Sequence, residues 1–288
     1  VTLFNNGLDT LRTVEIRWLV NGIAQTPLTW TGALKSGQAL DNLSVGVFPF
    51  RVDRSYSLAV YTHLPNGQPD EDPLNDTARV GNLYAALGGI YTIGGTAPDF
   101  PTFSKAVGAL SKGGVVDAVA FKVRSGVYTE QLVLPFILGT NAEKTVTFES
   151  EEEDSARVTL QFTATNQTNF VLQWNGAHWL RFRNMTLEAR DATYGRVLDI
   201  RGNAGNNRLE YCTLKTKTAA STDDRVAVVY SGAEVDSNNV FSGNTLVNGS
   251  YSFLLQGQND ANPDYGVQLL GNMLVDPYYT GVYLSYQE

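Results

Sequence analysis

In this chain of 288 residues, the trio Asp199, Arg201 and Glu210 has the side chains that bond-cleaving chemistry would need. A carboxylate beside a guanidinium can serve as general acid, general base or nucleophile once its surroundings displace its pKa. Cleavage of a polysaccharide asks for more, either a carboxylate pair with separated pKa values or carboxylates that hold a metal. The outward strand positions supply one Asp and one Glu, with Arg181, Arg183 and Arg201 nearby. The reading therefore favours a face without catalysis and keeps the trio as the one to test if cleavage is found. Asp223-Asp224 and the run Glu151-Glu152-Glu153-Asp154 read as solvated turns. His63 and His178 fall in different halves and read as structural. Cys212 lies in an apolar stretch and reads as a buried small hydrophobe.

Two further sets suit binding. Tyr278, Tyr279, Tyr283 and Tyr286 cluster near the end of the chain, where aromatic faces could stack on sugar rings or simply cover the last strands. Asp70, Asp72, Asn75 and Asp76 have the oxygen donors and spacing to hold a Ca²⁺ ion, without the glycine and distal glutamate of an EF-hand. The plainer reading of this second set is an acidic loop between strands. No other cofactor is expected.

Composition narrows the classes. The formal charge is −8 and no Lys/Arg-rich run exists, so the phosphate attraction that drives nucleic-acid binding is missing. One cysteine rules out an internal disulfide framework. No apolar run reaches the roughly 18 residues of a membrane-spanning helix, so no membrane insertion is expected. Many Gly, Tyr, Thr, Val and Asn residues suit strands and tight turns.

The elements that carry these residues follow two patterns. Residues 1–82 alternate apolar and polar in short bursts. Examples are Val14-Glu15-Ile16-Arg17-Trp18-Leu19-Val20, closed by Asn21-Gly22, and Tyr56-Ser57-Leu58-Ala59-Val60-Tyr61, followed by Pro65-Asn66-Gly67. This predicts a small antiparallel sandwich. Residues 83–288 read as a second domain. Its one helix is expected over about 101–111, capped by Asp99 or Thr102, with Phe103, Ala106, Val107 and Leu110 on one face and Gly113-Gly114 at its end.

From residue 170 a repeat can be counted. Phe170–Trp174, Arg196–Ile200, Val226–Tyr230 and Tyr251–Leu255 recur at steps of 26, 30 and 25 residues, each followed by a glycine (Gly176, Gly202, Gly232, Gly257). Leu187, Leu214, Leu246 and Leu274 recur at steps of 27, 32 and 28. Two strand sets with one period, and no helices between them, predict a parallel β-helix. The alignment turns Leu172, Leu198, Val228 and Phe253 inward, together with Trp174, Ile200, Tyr230 and Leu255. It also predicts a stacked Asn244–Asn272 amide ladder and an Arg183–Glu210 pair between coils. The last segment, Val282–Tyr286, reads as an uncapped coil.

Both domains resemble known families. Asn5-Asn6-Gly7, Trp18-Leu19-Val20-Asn21-Gly22, Trp30-Thr31-Gly32-Ala33-Leu34 and Pro65-Asn66-Gly67-Gln68-Pro69-Asp70 resemble the bacterial cell-adhesion-related, immunoglobulin-like domain. Asp99-Phe100-Pro101-Thr102-Phe103, Phe121–Glu130 with its Gly126-Val127-Tyr128-Thr129-Glu130, and Thr145-Val146-Thr147-Phe148 resemble the opening of pectin-lyase-like right-handed parallel β-helices, that of pectin methylesterases in particular. In that superfamily the helix caps the first coil, which would otherwise expose strand edges. The superfamily's enzymes place clustered acids with Arg, Lys or His on outward strand positions, and this sequence departs from each such pattern. Both modules together resemble exported surface proteins of Bacteroidota. The expectation is thus an all-β chain: an immunoglobulin-like β-sandwich followed by a right-handed parallel β-helix with an N-terminal capping helix. Its expected role is a non-catalytic, extracellular or outer-cell-surface module for adhesion or binding of a polysaccharide or cell-surface glycan. Further domains or an assembly partner would meet the C-terminal end. The alternatives are a polysaccharide lyase or glycosidase, and a structural spacer.

Overall fold

The computed structural model describes every residue except 53, 71, 73 and 74, and only the backbone of residue 233. The chain divides into two compact units, Val1–Ala85 and Ala86–Glu288.

In the first unit the period-2 pattern of Leu11–Val20 builds the central strand of an antiparallel sheet. Ser55–His63 pairs along one edge, Ile23–Ala24 and Leu28–Leu34 along the other, and Thr77–Tyr84 adds outside Ser55–His63. Leu3–Phe4 and Ala39–Leu40 form a separate pair. Val14, Ile16, Trp18 and Val20 point to one side and are buried with Leu3, Leu34, Tyr56 and Val60. Asn21 and Gly22 adopt positive φ and turn the chain after the first long strand.

The second unit is a parallel β-solenoid of three faces. The first stacks Leu87–Ile93, Val115–Val123, Val146–Ser150, Leu180–Arg183, Arg208–Glu210, Val240–Ser242 and Gln268–Leu270. The second stacks Gly126–Thr129, Val158–Phe162, Thr186–Ala189, Thr213–Lys215, Thr245–Val247 and Met273–Val275. The third stacks Leu132–Leu134, Leu172–Asn175, Leu198–Arg201, Val229–Glu234, Tyr251–Gly257 and Thr280–Ser285. The parallel register stacks core residues in columns, and two of these hold runs of one residue type. Phe121, Phe148 and Phe182 stack with ring centroids 4.7 and 4.9 Å apart. Leu160, Leu187, Leu214 and Leu246 form a fully buried leucine column on the second face.

Asparagine ladders close two corners. Asn244 Oδ1 accepts from the Cys212 amide at 2.9 Å, and Asn244 Nδ2 donates to Leu209 O at 2.8 Å and to Asn272 Oδ1 at 3.0 Å. Asn207 and Asn239 repeat the pattern between Leu180 and Ala204. An amide both donates and accepts, so each satisfies a buried N–H and a buried C=O of the coil before it. The predicted Asn244–Asn272 ladder and Arg183–Glu210 pair (Nε to Oε2, 3.4 Å) are both present.

The predicted register fails in one coil. Leu198 pairs with Val229, not Val228, and Ile200 pairs with Ser231, so Tyr230 points outward beside Asp199 and Leu254. The cause is an irregularity after Ser231, where one extra residue precedes the next pairing, Glu234 with Gly257. Aligning on Gly232 hid that insertion, and a one-residue slip exchanges the two faces of a strand. Gly176 and Gly202 do align and share positive φ; a Cβ on Gly202 would lie 2.7 Å from the Gly176 nitrogen.

The helix spans Phe103–Gly113, two residues later than expected. Thr102 is its N-cap, accepting from the Lys105 amide at 3.3 Å, while Asp99 accepts instead from the Thr92 amide and hydroxyl at 2.7 and 2.8 Å. Phe103, Ala106, Val107 and Leu110 are buried as predicted. Glu130 accepts from the amides of Phe103 and Ser104 at 3.1 and 2.8 Å, adding negative charge at the positive helix end. Tyr128 packs edge-on against Phe103 and donates to Arg124 O at 2.7 Å. The motif Gly126–Glu130 is therefore occupied with positioning the helix.

Candidate functional site

A groove of about 590 Å³ runs along the third face. Its floor is the outward row Val133, Gln173 and Asp199, with Asn175 and Arg201 two residues further along their strands. Its wall comes from the connections between the second and third faces, through Asn166–Phe170, Tyr194, Arg196 and Arg225. These connections, residues 163–171, 190–197 and 216–228, follow one another in successive coils, so this corner bulges and shelters the floor.

Asp199 sits at the centre and is 1% exposed. Its Oδ2 accepts from Arg201 Nε and from Gln173 Nε2, both at 2.6 Å; its Oδ1 accepts from Arg196 Nη1 at 3.3 Å. Arg196 is nearly as buried, donates from Nη2 to Asp224 Oδ2 at 3.0 Å and from Nε to Asp224 O at 3.1 Å, and lies over the Tyr230 ring 3.3 Å from its centroid. Both guanidiniums are thereby fixed in direction. Arg201 is half exposed, and its hydrogen bond to Asp199 pushes its pKa above the ordinary value. The carboxylate thus acts as a buttress: it offers little of itself to solvent and aims neighbouring donors.

The groove presents amides and guanidinium nitrogens to solvent. Asn169 bridges the wall, donating to Arg225 O at 2.8 Å and accepting from the Arg196 amide at 3.2 Å. Arg225 is locked to Asp223, which it holds below the usual carboxylate range. Such a lining matches a polyol, whose hydroxyls each offer a donor and acceptor.

The structure brings Asp199 and Arg201 together but places Glu210 elsewhere. Glu210 lies on the first face, 3.4 Å from Arg183 Nε and 3.6 Å from Arg208 Nη1. The trio is therefore not one site. Asp224, read as a solvated turn residue, instead anchors Arg196. The run Glu151–Asp154 is a turn in which Glu151 pairs with Arg124, and Glu152 and Asp154 pair with Arg157. Cys212 is 1% exposed, and burial pushes its thiol up to about 12.

Tyr278, Tyr279, Tyr283 and Tyr286 are all exposed. Tyr279 and Tyr283 pack edge-on against Tyr251, with centroids 5.4 and 6.1 Å away. Tyr283 continues the outward row of Gln173, Asp199, Tyr230 and Leu254. In the first unit, Asp72 donates its amide to Asp70 Oδ1 at 3.0 Å, Asn75 Nδ2 donates to Asp72 Oδ2 at 3.1 Å, and Thr62 donates to Asp76 Oδ1 at 3.1 Å. Burial raises the Asp76 pKa. Among the described residues no group of three or more His, Cys, Asp or Glu side chains is arranged to hold a metal ion.

Sequence reasoning missed Asn175, Asn169 and Arg196. Asn175 stands two residues after Gln173 on one strand, so the period of two alone assigns both to the same face. Asn169 and Arg196 lie in connections of unequal length, where no periodic signal exists.

No protein-family model matches the chain, and no curated protein matches it. Among solved structures, the pectin methylesterase from Aspergillus niger in deglycosylated form aligns with 65% of this chain at 16% identity and a TM-score of 0.44. A second form of that enzyme, with an N-acetylglucosamine stub, gives the same values. The Agl-KA catalytic domain aligns over 99% of this chain at 13% identity and a TM-score of 0.23. The alignments span 57% of the esterase chain and 64% of the Agl-KA chain.

Proposed function

We propose that this chain is a secreted or cell-surface module that binds an extended glycan along the third face of its solenoid, without cleaving it. The observation that carries this reading is the continuous outward row Gln173, Asp199, Tyr230, Leu254 and Tyr283, in which the one acid is sealed by Arg196, Arg201 and Gln173. Successive rungs stand ~4.8 Å apart, close to the advance of one sugar ring along a chain. Amides and Arg201 would meet hydroxyls near the groove, and Tyr283 with Tyr279 would stack on rings further along. The first unit, read as an immunoglobulin-like adhesion module, would then serve as the attachment or spacer domain. The helix Phe103–Gly113 would cap the opening coil.

A second reading, a polysaccharide-active enzyme, is favoured by one feature: Asp199 lies in the groove with Arg201 directly beside it. The test is a panel of polysaccharides immobilised in affinity gels, with reducing ends and unsaturated-product absorbance read on the same samples. Retention by one polymer with no new ends supports the binding module. New ends or unsaturated products overturn it in favour of the enzyme, and absence of both retention and cleavage overturns both.

A further inference from the structure

The groove on the third face is lined by three guanidiniums, and each is paired with an aspartate of this chain. Arg196 is held between Asp199 Oδ1 at 3.3 Å and Asp224 Oδ2 at 3.0 Å. Arg201 Nε donates to Asp199 Oδ2 at 2.6 Å. Arg225 Nε donates to Asp223 Oδ2 at 2.9 Å, and its Nη2 pairs with the same carboxylate. Three cations therefore meet three anions, and the set has no net charge. Around it the chain carries a formal charge of −8.

The pairing cancels charge but leaves donors. Arg201 and Arg225 are about half exposed. Both Nη nitrogens of Arg201 and Nη1 of Arg225 have no hydrogen-bond partner among the described residues. The rest of the polar lining is uncharged, with Asn169, Gln173 and Asn175 at its centre. A hydroxyl asks for a directed donor or acceptor and no charge. A carboxylate or sulfate group would meet an aspartate charge directly behind each guanidinium, and an anionic protein beyond it.

We infer that the groove selects an uncharged polysaccharide. The aspartates cancel the charge of the three arginines and hold their remaining N–H groups as fixed donors to hydroxyl oxygens. This inference rests on the glycan site proposed above and names the class of chain that fits it.

The experiment is frontal affinity chromatography of the full chain on immobilised polymers taken in matched pairs. The pairs are hydroxyethyl and carboxymethyl cellulose, dextran and dextran sulfate, and arabinoxylan and glucuronoxylan, each at low and high salt. The neutral member of at least one pair is expected to retain the chain at least about tenfold more strongly than its acidic partner, and equally at both salt levels. Asp223→Asn together with Asp224→Asn removes two of the three compensating charges. It is expected to raise retention by the acidic partner about tenfold at low salt, with the gain lost at high salt. If the double variant fails to fold, as read by circular dichroism, the salt series on the parent carries the test. Equal or stronger retention by an acidic member, falling with salt, would overturn the inference while the glycan site stood. No gain in the folded double variant would overturn the role given to the aspartates. No retention by any polymer would remove the glycan site itself, and the inference with it.

Discussion

The first and third faces of the solenoid share a fold but finish their outward rows differently. On the first face the row reads Thr92, Lys122, Glu149, Arg183, Glu210, Ser242 and Leu270. Its charges alternate from coil to coil, and neighbours pair: Lys122 with Glu149 at 2.8 Å, Arg183 with Glu210 at 3.4 Å. On the third face the row reads Val133, Gln173, Asp199, Tyr230, Leu254 and Tyr283. There a buried carboxylate gathers donors, and rings take the place of partner charges. A wall that satisfies itself has little to offer a ligand. One that leaves amides, a half-exposed guanidinium and aromatic faces open beside a groove is equipped to bind.

The largest effect is expected at the corner that joins the two faces, where Asp236 and Asp264 sit in adjacent coils, each 1% exposed. Asp264 accepts from the Asp236 amide at 2.8 Å and from Gln287 Nε2 at 2.7 Å; Asp236 accepts from Ser231 Oγ at 2.6 Å, and its Oδ1 has no partner. Unlike the asparagine ladders, two stacked acids cannot satisfy one another while both are ionised. Burial, with Asp264 and Glu234 nearby, raises Asp236 to about 7. Between pH ~4 and ~7 the folded chain holds a proton that the unfolded chain has released, so stability falls as pH rises through that window, by up to roughly 4 kcal/mol. Asp236→Asn should remove most of that slope in urea unfolding at pH 5 and pH 8. A variant as pH-sensitive as the parent would place the titration elsewhere.

Next in size is Asp199→Ala, which strands Arg196 and Arg201 and should cost about 3 kcal/mol in the same assay. Glu149→Gln on the first face, breaking a partly exposed pair, should cost less than ~1 kcal/mol. Equal costs would erase the distinction between the faces. Smaller again is Tyr283→Ala, which removes an exposed ring: no change in unfolding, but about a tenfold loss of retention on the glycan that the panel identifies. Unchanged retention would confine binding to the groove.

Much of this was legible in the residues. The leucine spacing through Leu187, Leu214, Leu246 and Leu274 places the second face, and the alignment of Asn244 with Asn272 foretells their ladder, because a solenoid repeats its environment at a fixed period. What was hidden lies where the period breaks. The insertion after Ser231 displaced Tyr230 from its true outward place beside Asp199. Glu210 follows Asp199 closely in sequence yet turns the corner to another face, while Gln173, 26 residues away, touches it at 2.6 Å. Sequence distance in a coiled chain is a poor guide to neighbourhood unless the corners are known.

The most direct measurement is affinity electrophoresis on the retained polysaccharide with two double variants, Gln173→Ala/Asn175→Ala on the third face and Lys122→Gln/Glu149→Gln on the first. The account predicts that the third-face pair loses retention by about tenfold or more, from two lost hydrogen-bonding side chains, while the first-face pair migrates like the parent. Retention lost only with the first-face pair, or unchanged in both, would contradict a glycan site on the third face.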